Sequence, residues 1–243
     1  PSALPIPTVN YTSALDFGTF TSSDRIVINN NFDTIITGTD FTISSWINLD
    51  SIASNKLKFI FTNETLQLTI TNRITTYLRG ASGYFLSPFS SNTILSTGKW
   101  YNIVLVKNGS DYAYYLNGSP DGTVTNSTSI INSGETTSFI GNYAYDSNNY
   151  GFDGRISNVA IYNSALSSPQ VSTLYNSGQP ETAISFSPVG WWKLDTGGST
   201  ITDYGSGGNN GTNNGATQVT SDVLAPQPVN GVSTTLPSTA LQQ

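Results

Sequence analysis

The chain has 243 residues, of which only 10% are charged, and its formal net charge is −6. Nine Lys and Arg residues without a cluster argue against a nucleic-acid partner, and no apolar run approaches the roughly 20 residues that span a bilayer. The chain contains no Cys, Met or His, which excludes disulfides, zinc–imidazole sites and catalysis by Ser-His-Asp or Cys-His. Its 4 Trp, 13 Tyr and 11 Phe indicate a folded protein with a neutral polar surface, because disordered chains carry few aromatic residues.

Short segments rich in β-branched and aromatic residues follow one another along most of the chain. Residues 1–12 contain three prolines and predict an extended arm. Turn residues separate the later segments at intervals of roughly 8–12 residues, which predicts an antiparallel β-sandwich. The predicted strands are residues 14–17, 25–28, 41–49, 58–62, 66–71, 74–78, 84–85, 100–107, 112–116, 123–124, 138–141, 155–162 and 190–195.

Residues 100–118 predict a central hairpin. Asn-Gly pairs at 108–109 and 117–118 supply the positive φ angles that tight turns between strands require. Between residues 101 and 106, apolar side chains point alternately to both faces of the strand. We therefore expect this hairpin to lie between two layers rather than at a solvent edge.

Only residues 167–178 predict a helix. Ser167 is a candidate N-cap, Pro169 stands at the start and Gly178 is a plausible stop. The rest of the chain divides into a linker, a strand, a glycine-rich loop and an extended tail, at residues 179–188, 190–195, 203–211 and 216–243.

Four blocks together resemble the laminin-G-like jelly rolls of the concanavalin A-like lectin/glucanase superfamily: residues 14–17 with 25–28, residues 41–47, residues 99–106 with 115–118, and residues 152–166. The resemblance covers about residues 10–178. It implies an all-β fold, a two-sheet antiparallel jelly-roll sandwich with one short helix and extended terminal arms. The expected domain comprises residues 13–215, with its main part at 13–178.

The order of the blocks departs from this family. A segment like residues 191–211 normally stands first in such a domain, whereas here it comes last. It either folds back as a circular permutation, begins a further repeat, or completes a neighbouring subunit by strand addition. We favour the first arrangement for residues 190–211, because an unpaired apolar strand promotes aggregation.

Catalytic carboxylates are sparse. Sandwich glycanases need two closely spaced carboxyl groups, one as acid/base and one as nucleophile. The three glutamates, Glu64, Glu135 and Glu181, have no second acid two to four residues away. The sequence therefore predicts no catalytic residue and no enzyme activity.

Calcium is the one cofactor that the resemblance suggests. Family members hold the ion with the Asp of a loop that corresponds to Asp203, where Gly205 and Gly207 would let backbone carbonyls turn inward. Relatives carry acids where this chain has Ser157 and Asn158, and calcium takes about six to eight oxygen ligands. The alternative is that Asp203 is a turn residue that accepts backbone N–H groups.

The loop at residues 142–153 is the candidate carbohydrate-binding site. Tyrosine rings stack on the apolar face of a sugar, and Asp and Asn exchange hydrogen bonds with its hydroxyls. The candidate residues are Tyr143, Tyr145, Asp146, Asn148, Asn149 and Tyr150. The alternative is a solvated loop whose tyrosines pack on the rim of the sheet.

The segment around residues 190–212 and the end of the chain also resemble virion proteins of marine bacteriophages. We therefore expect a non-catalytic structural or interaction protein, a multicopy virion or appendage subunit of the capsid-decoration or fibre type. Its terminal arms would join copies of itself or other virion and surface proteins, and it would adhere to host surfaces. The alternative is a secreted, lectin-like module, assisted by calcium, that binds cell-surface glycans. Both hypotheses place the protein outside the cell or on a virion surface, without membrane insertion.

Overall fold

A computed structural model describes residues 13–19, 23–30, 32–52, 58–63, 65–81, 88–143 and 150–220. Within these residues the chain forms sixteen strands and two helices. The strands are Ala14–Asp16 (β1), Arg25–Ile28 (β2), Asp40–Leu49 (β3), Lys58–Thr62 (β4), Leu66–Ile70 (β5), Ile74–Leu78 (β6), Phe89–Ser90 (β7), Trp100–Asn108 (β8), Asp111–Leu116 (β9), Ser119–Thr125 (β10), Ser138–Ile140 (β11), Gly154–Tyr162 (β12), Gly190–Trp192 (β13), Thr200–Ile201 (β14), Gly211–Asn214 (β15) and Thr217–Val219 (β16). The helices are Asp33–Ile36 (α1) and Ser168–Tyr175 (α2), and a 3₁₀ turn at Asn176–Gly178 follows α2.

The strands form two eight-stranded antiparallel sheets that pack face to face. The first sheet has the order β10-β9-β8-β3-β12-β1-β16, with β13 also paired to β12. The second sheet has the order β14-β15-β2-β11-β4-β5-β6-β7. Buried side chains of both sheets share one hydrophobic core, as expected where two sheets stack. The predicted all-β jelly-roll sandwich is confirmed.

The predicted hairpin is β8 and β9, and it lies inside the first sheet, between the edge strand β10 and the long strand β3. Strand β8 pairs with β3 from Asp40 opposite Asn108 to Asn48 opposite Trp100. Ile103 and Leu105 point into the core between the sheets, whereas Val104 and Val106 belong to a second cluster. The prediction of two apolar faces is therefore confirmed.

Helix α2 covers that second cluster on the outer face of the first sheet. Its buried residues Val171 and Leu174 pack with Val104 and Val106. At the start of the helix, the Ser167 backbone N–H donates to Gln170 Oε1 at 2.8 Å, a capping interaction that satisfies a free N–H group. The predicted cap is confirmed.

The last strands pair with earlier strands of the same chain. Strand β13 pairs with β12, β15 with β2, and β16 with β1. Trp192 is fully buried in the core, and its ring meets that of Phe32 edge-on at 5.8 Å between centroids. The limits of the domain, 13–215, and the permuted origin of residues 190–211 stay predictions.

Five short elements are absent from the sequence-based expectation: α1, β7, β14, β15 and β16. Helix α1 was not predicted because it is a single turn, entered through Phe32 with a left-handed φ of 53°. Strand β16 lies inside the predicted tail of residues 216–243, and its short Thr-Gln-Val sequence carries little alternation. The predicted strand at residues 84–85, the arm at 1–12 and the tail from 221 onward lie outside the described residues.

Candidate functional site

The predicted carbohydrate-binding loop is described only at its two ends. Its flanking residues meet where the Phe152 N–H donates to the Gly141 carbonyl at 2.6 Å, and the Tyr143 N–H donates to Asn142 Oδ1 at 2.6 Å. Tyr143 and Tyr150 are half-buried. Tyr145, Asp146, Asn148 and Asn149 lie outside the described residues, so the loop stays a prediction.

Asp203, in the glycine-rich loop, forms an isolated antiparallel β-bridge with Trp192 of β13, and its side chain is buried. Oδ1 accepts the N–H groups of Trp191 at 2.8 Å and Gly205 at 2.7 Å, and Oδ2 accepts that of Asn209 at 2.7 Å. Both carboxylate oxygens therefore bind backbone amides, the arrangement of a turn aspartate.

Gly205 and Gly207 serve the packing of the same loop against the chain before β13. A Cβ on Gly205 would lie 2.8 Å from the Gly190 backbone, and one on Gly207 would lie 2.5 Å from the Val189 carbonyl oxygen. Among the described residues, no group of three or more acidic side chains gathers to hold a metal. The donors around Asp203 thus do not fit the oxygen-rich shell that calcium takes, and calcium binding stays an untested prediction.

Ser157 and Asn158, which replace the acids of relatives, form structural contacts. Ser157 Oγ donates to the Lys193 carbonyl at 3.2 Å, and Asn158 Oδ1 accepts the Trp191 indole N–H at 2.8 Å. Asn158 has a φ of 48° and lies at the irregularity where β12 changes its edge partner from β1 to β13. An Asn at this position suits a left-handed backbone.

A pocket of about 360 Å³ opens elsewhere in the molecule, at one end of the central hairpin. We call it the hairpin pocket. Three separate segments line it: residues 37–39 after α1, the hairpin residues Lys107, Gly109, Ser110 and Tyr112, and residues 126–130. The lining consists of hydroxyl, amide, ammonium and backbone groups with Tyr112 and Ile130, and no acidic side chain belongs to it among the described residues.

Hydrogen bonds fix the three segments to one another. The Gly109 N–H donates to Asp40 Oδ1 at 3.0 Å, and the Asn126 N–H donates to the Ser110 carbonyl at 2.8 Å. Lys107 Nζ donates to the carbonyls of Gly38 and Thr39, each at 2.7 Å. The pocket is therefore held in shape by hydrogen bonds within the protein before any ligand arrives, which reduces the entropy lost on binding.

Lys107 is the charged group of the hairpin pocket. Its side chain is only 7% exposed, and burial lowers the pKa of its ammonium, while the Asp40 carboxylate acts in the opposite direction. Nζ lies 5.9 Å from the centroid of the Tyr112 ring. An ammonium has three N–H groups, so one donor remains beyond the two carbonyls that Lys107 binds.

Sequence reasoning missed the hairpin pocket. The turn at residues 108–110 and the Ser/Thr-rich run at 126–129 were visible, but nothing local places them beside residues 37–39. The pairing of β3 with β8 brings residues 37–39 beside the hairpin, and the pairing of β9 with β10 brings residues 126–130 there.

Comparison with known proteins places the chain in a family. The model of a laminin-G-type family, described as the concanavalin A-like lectin/glucanases superfamily, matches residues 20–172. The chain belongs to the concanavalin A-like lectin/glucanase superfamily. No curated protein matches it in sequence.

Solved structures of this superfamily fold resemble the chain at low identity. A candidate carbohydrate-binding protein from Bacteroides ovatus aligns with a TM-score of 0.69 and 21% identity over 88% of this chain and 61% of its own. The heptameric SAP-like pentraxin of Limulus polyphemus aligns with a TM-score of 0.57 and 16% identity over 87% and 96%. The sialidase module CBM40 of Ruminococcus gnavus, solved with α2,3-sialyllactose, aligns at 0.51 and 14% over 67% and 96%. The chain thus spans about three fifths of the Bacteroides protein, and these likenesses show a shared fold.

Two of these neighbours, the Bacteroides protein and the Ruminococcus module, are described with carbohydrate binding or a bound oligosaccharide. The bacteriophage type of the predicted resemblance finds no support in these comparisons and stays a prediction. No helix in the described ranges is long and apolar enough to cross a bilayer.

Proposed function

We propose that the chain is a non-catalytic carbohydrate-binding module that holds a sugar in the hairpin pocket. The observation that carries the proposal is the lining of this pocket. Its hydroxyl and amide groups exchange hydrogen bonds with sugar hydroxyls, and Lys107 adds a charged donor. Its volume of about 360 Å³ is within the range of small-molecule sites, roughly 300–1,000 Å³.

The absence of acidic residues from the described lining separates this proposal from catalysis. Glycosidases use two carboxyl groups on either side of the scissile bond, and the hairpin pocket offers none. Glu181, one of the three glutamates, already accepts the N–H and hydroxyl of Ser185, each at 2.9 Å. The proposed module therefore binds its sugar without cleaving it, and acts outside the cell on surface glycans.

The structural role on a virion or appendage rests on the terminal arms. Residues 1–12 and 221–243 lie outside the described residues, so self-association through them stays a prediction from the sequence. Glycan binding and such a role are compatible, since an adhesive subunit needs both an attachment and a receptor site.

A glycan array tests the proposal with three single-residue variants of the full chain. Thr128→Trp fills the mouth of the hairpin pocket from an exposed position, whereas Ser199→Trp adds the same side chain to an exposed position that does not line it. We expect wild type and Ser199→Trp to bind the same glycans. Thr128→Trp should lose at least about tenfold in affinity, because the introduced indole occupies space that the sugar needs.

Tyr145→Ala distinguishes the hairpin pocket from the loop predicted by sequence. If Tyr145→Ala abolishes binding and Thr128→Trp leaves it intact, the loop at residues 142–153 is the site and the pocket assignment is wrong. A wild-type array without any bound glycan would overturn carbohydrate binding at both places.

A further inference from the structure

Tyr204 presents its ring to solvent from a backbone that is firmly held. The side chain is 51% exposed, yet its N–H donates to the Trp191 carbonyl at 2.8 Å. The preceding residue, Asp203, accepts the N–H groups of Trp191 and Gly205. A single exposed apolar side chain needs no explanation, but an aromatic ring with a fixed backbone is the kind of group that recognition surfaces use.

A positive charge lies directly beside this ring. Lys193 Nζ is 4.5 Å from the Tyr204 centroid and 4.8 Å from the Trp191 centroid, and the two rings are 5.6 Å apart at an angle of 59°. Among the described residues, no carboxylate forms an ion pair with Lys193. The cation–π contacts hold the ammonium in place without neutralising its charge.

A second exposed aromatic residue precedes the segment to which this loop is bound. Phe186 is 36% exposed with a φ of 67°, and Ser187 follows with a φ of 51°. The neighbouring Pro188 carbonyl accepts the Ser206 N–H at 3.0 Å, which fastens this segment to the Tyr204 loop. Left-handed backbone is unfavourable for residues with a Cβ, and such strained residues cluster at functional sites.

We propose that Tyr204 and Lys193 form a second binding site, which takes an acidic saccharide. The sugar ring packs against the part of Tyr204 that is exposed to solvent, and its carboxylate binds the Lys193 ammonium at the edge of the same ring. We call this surface the Tyr204 platform. None of its residues lines the hairpin pocket, so the two sites are tested independently.

The positive charge of Lys193 favours an acidic ligand at this site, although the protein as a whole is acidic. The protein has a net charge of −6, which repels a polyanion at long range. Binding must therefore come from short-range contact with the unpaired Lys193. Asp203, the acidic side chain of the same loop, is buried with both oxygens bound by backbone amides.

Affinity electrophoresis of the full chain tests the platform. The gels contain polygalacturonate, alginate or hyaluronan, with methyl-esterified polygalacturonate as the uncharged match and polyglutamate as a non-carbohydrate polyanion. We expect retardation by at least one acidic polysaccharide, and none by the methyl ester or by polyglutamate. Tyr204→Ala and Lys193→Gln should each raise the dissociation constant by about tenfold, whereas Tyr204→Phe and Lys193→Arg should stay within about threefold of wild type.

The same gels separate this proposal from the hairpin pocket. Thr128→Trp should leave retardation by the acidic polymer unchanged, and thermal unfolding should show that Tyr204→Ala is folded. The proposal is overturned if no acidic polysaccharide retards the wild type, if Tyr204→Ala migrates like wild type, or if polyglutamate or the methyl ester retards the protein equally. If an acidic polysaccharide retards the wild type but no glycan on the array binds it, the Tyr204 platform is supported and the hairpin pocket is rejected.

Discussion

Asp33 is a buried carboxylate in a network of hydroxyl and amide groups. Its side chain is 1% exposed, and Oδ1 accepts Thr65 Oγ1 at 2.7 Å and Asn63 Nδ2 at 3.1 Å. Desolvation raises the pKa of Asp33, and the hydrogen bonds only partly oppose this. The folded state therefore favours the protonated form more than the unfolded state does. Its contribution to stability is complete below the unfolded pKa and is lost as the pH rises through the higher folded pKa.

Asp33→Asn removes this titration while keeping the size of the side chain and one acceptor oxygen. We expect the wild type to lose stability relative to the variant as the pH rises above about 4, by about 1.4 kcal/mol for each unit by which the pKa is raised. Urea unfolding of both proteins between pH 4 and 8 measures the difference. Asp111→Asn, at an exposed hairpin position, is the control, because it removes one negative charge without changing a buried carboxylate. A constant difference between Asp33→Asn and wild type at all pH values would contradict the prediction.

At the scale of single elements, most strands and helix α2 follow from local sequence. Alternation along β3 and β8 predicts which side chains enter the core, and Phe41, Ile43, Ile47 and Leu49 are all buried there. Such patterns fail for α1, β7, β14, β15 and β16, because elements of two to four residues carry little periodicity of their own. Their conformation is imposed by neighbours: β1 pairs with β16, and α1 begins at the buried Phe32.

Helix α2 should be stabilised mainly by its buried face. Leu174 is 4% exposed in the outer cluster, so Leu174→Ala leaves a cavity between helix and sheet. We expect it to lower the free energy of unfolding by about 2–4 kcal/mol, as measured by urea denaturation. Ser172→Ala, on the exposed side of the same helix, is the matched control and should change stability by less than about 0.5 kcal/mol. Equal effects of the two variants would show that the helix is not anchored by packing.

At the scale of the whole molecule, the functional surfaces are less predictable than the fold. The hairpin pocket joins residues 37–39, 107–112 and 126–130, and the Tyr204 platform joins Lys193 and Tyr204. Neither has a motif with fixed spacing, since each is made by contacts between distant segments. One long-range contact is predictable from the sequence. Residues 190–211 resemble a block that stands first in the family, and this order predicts that the end of the chain completes the sandwich.

The pairing of β16 with β1 makes this permutation testable by rearranging the chain. Val219 is opposite Ala14 in an antiparallel ladder, so their Cα atoms lie roughly 5 Å apart and a two-residue Asn-Gly turn can join them. A chain that runs 179–219, Asn-Gly, 14–178 keeps every strand pairing and places the last block first. We expect its free energy of unfolding to lie within about 2 kcal/mol of that of the original chain, since short changes in connection shift loop entropy only slightly.

The matched comparison for the permuted chain is residues 13–178 alone. This truncation removes Trp192, Leu194 and Ile201, which are 0%, 1% and 2% exposed in the core, and each such loss costs about 2–5 kcal/mol. It should therefore fail to give a cooperative unfolding transition by circular dichroism, because the three losses together, about 6–15 kcal/mol, are as large as the usual total stability of a domain, about 5–15 kcal/mol. A truncated chain as stable as the original would show that residues 190–219 are dispensable. A permuted chain that stays unfolded would show that their position at the end is required, and the permutation would be rejected.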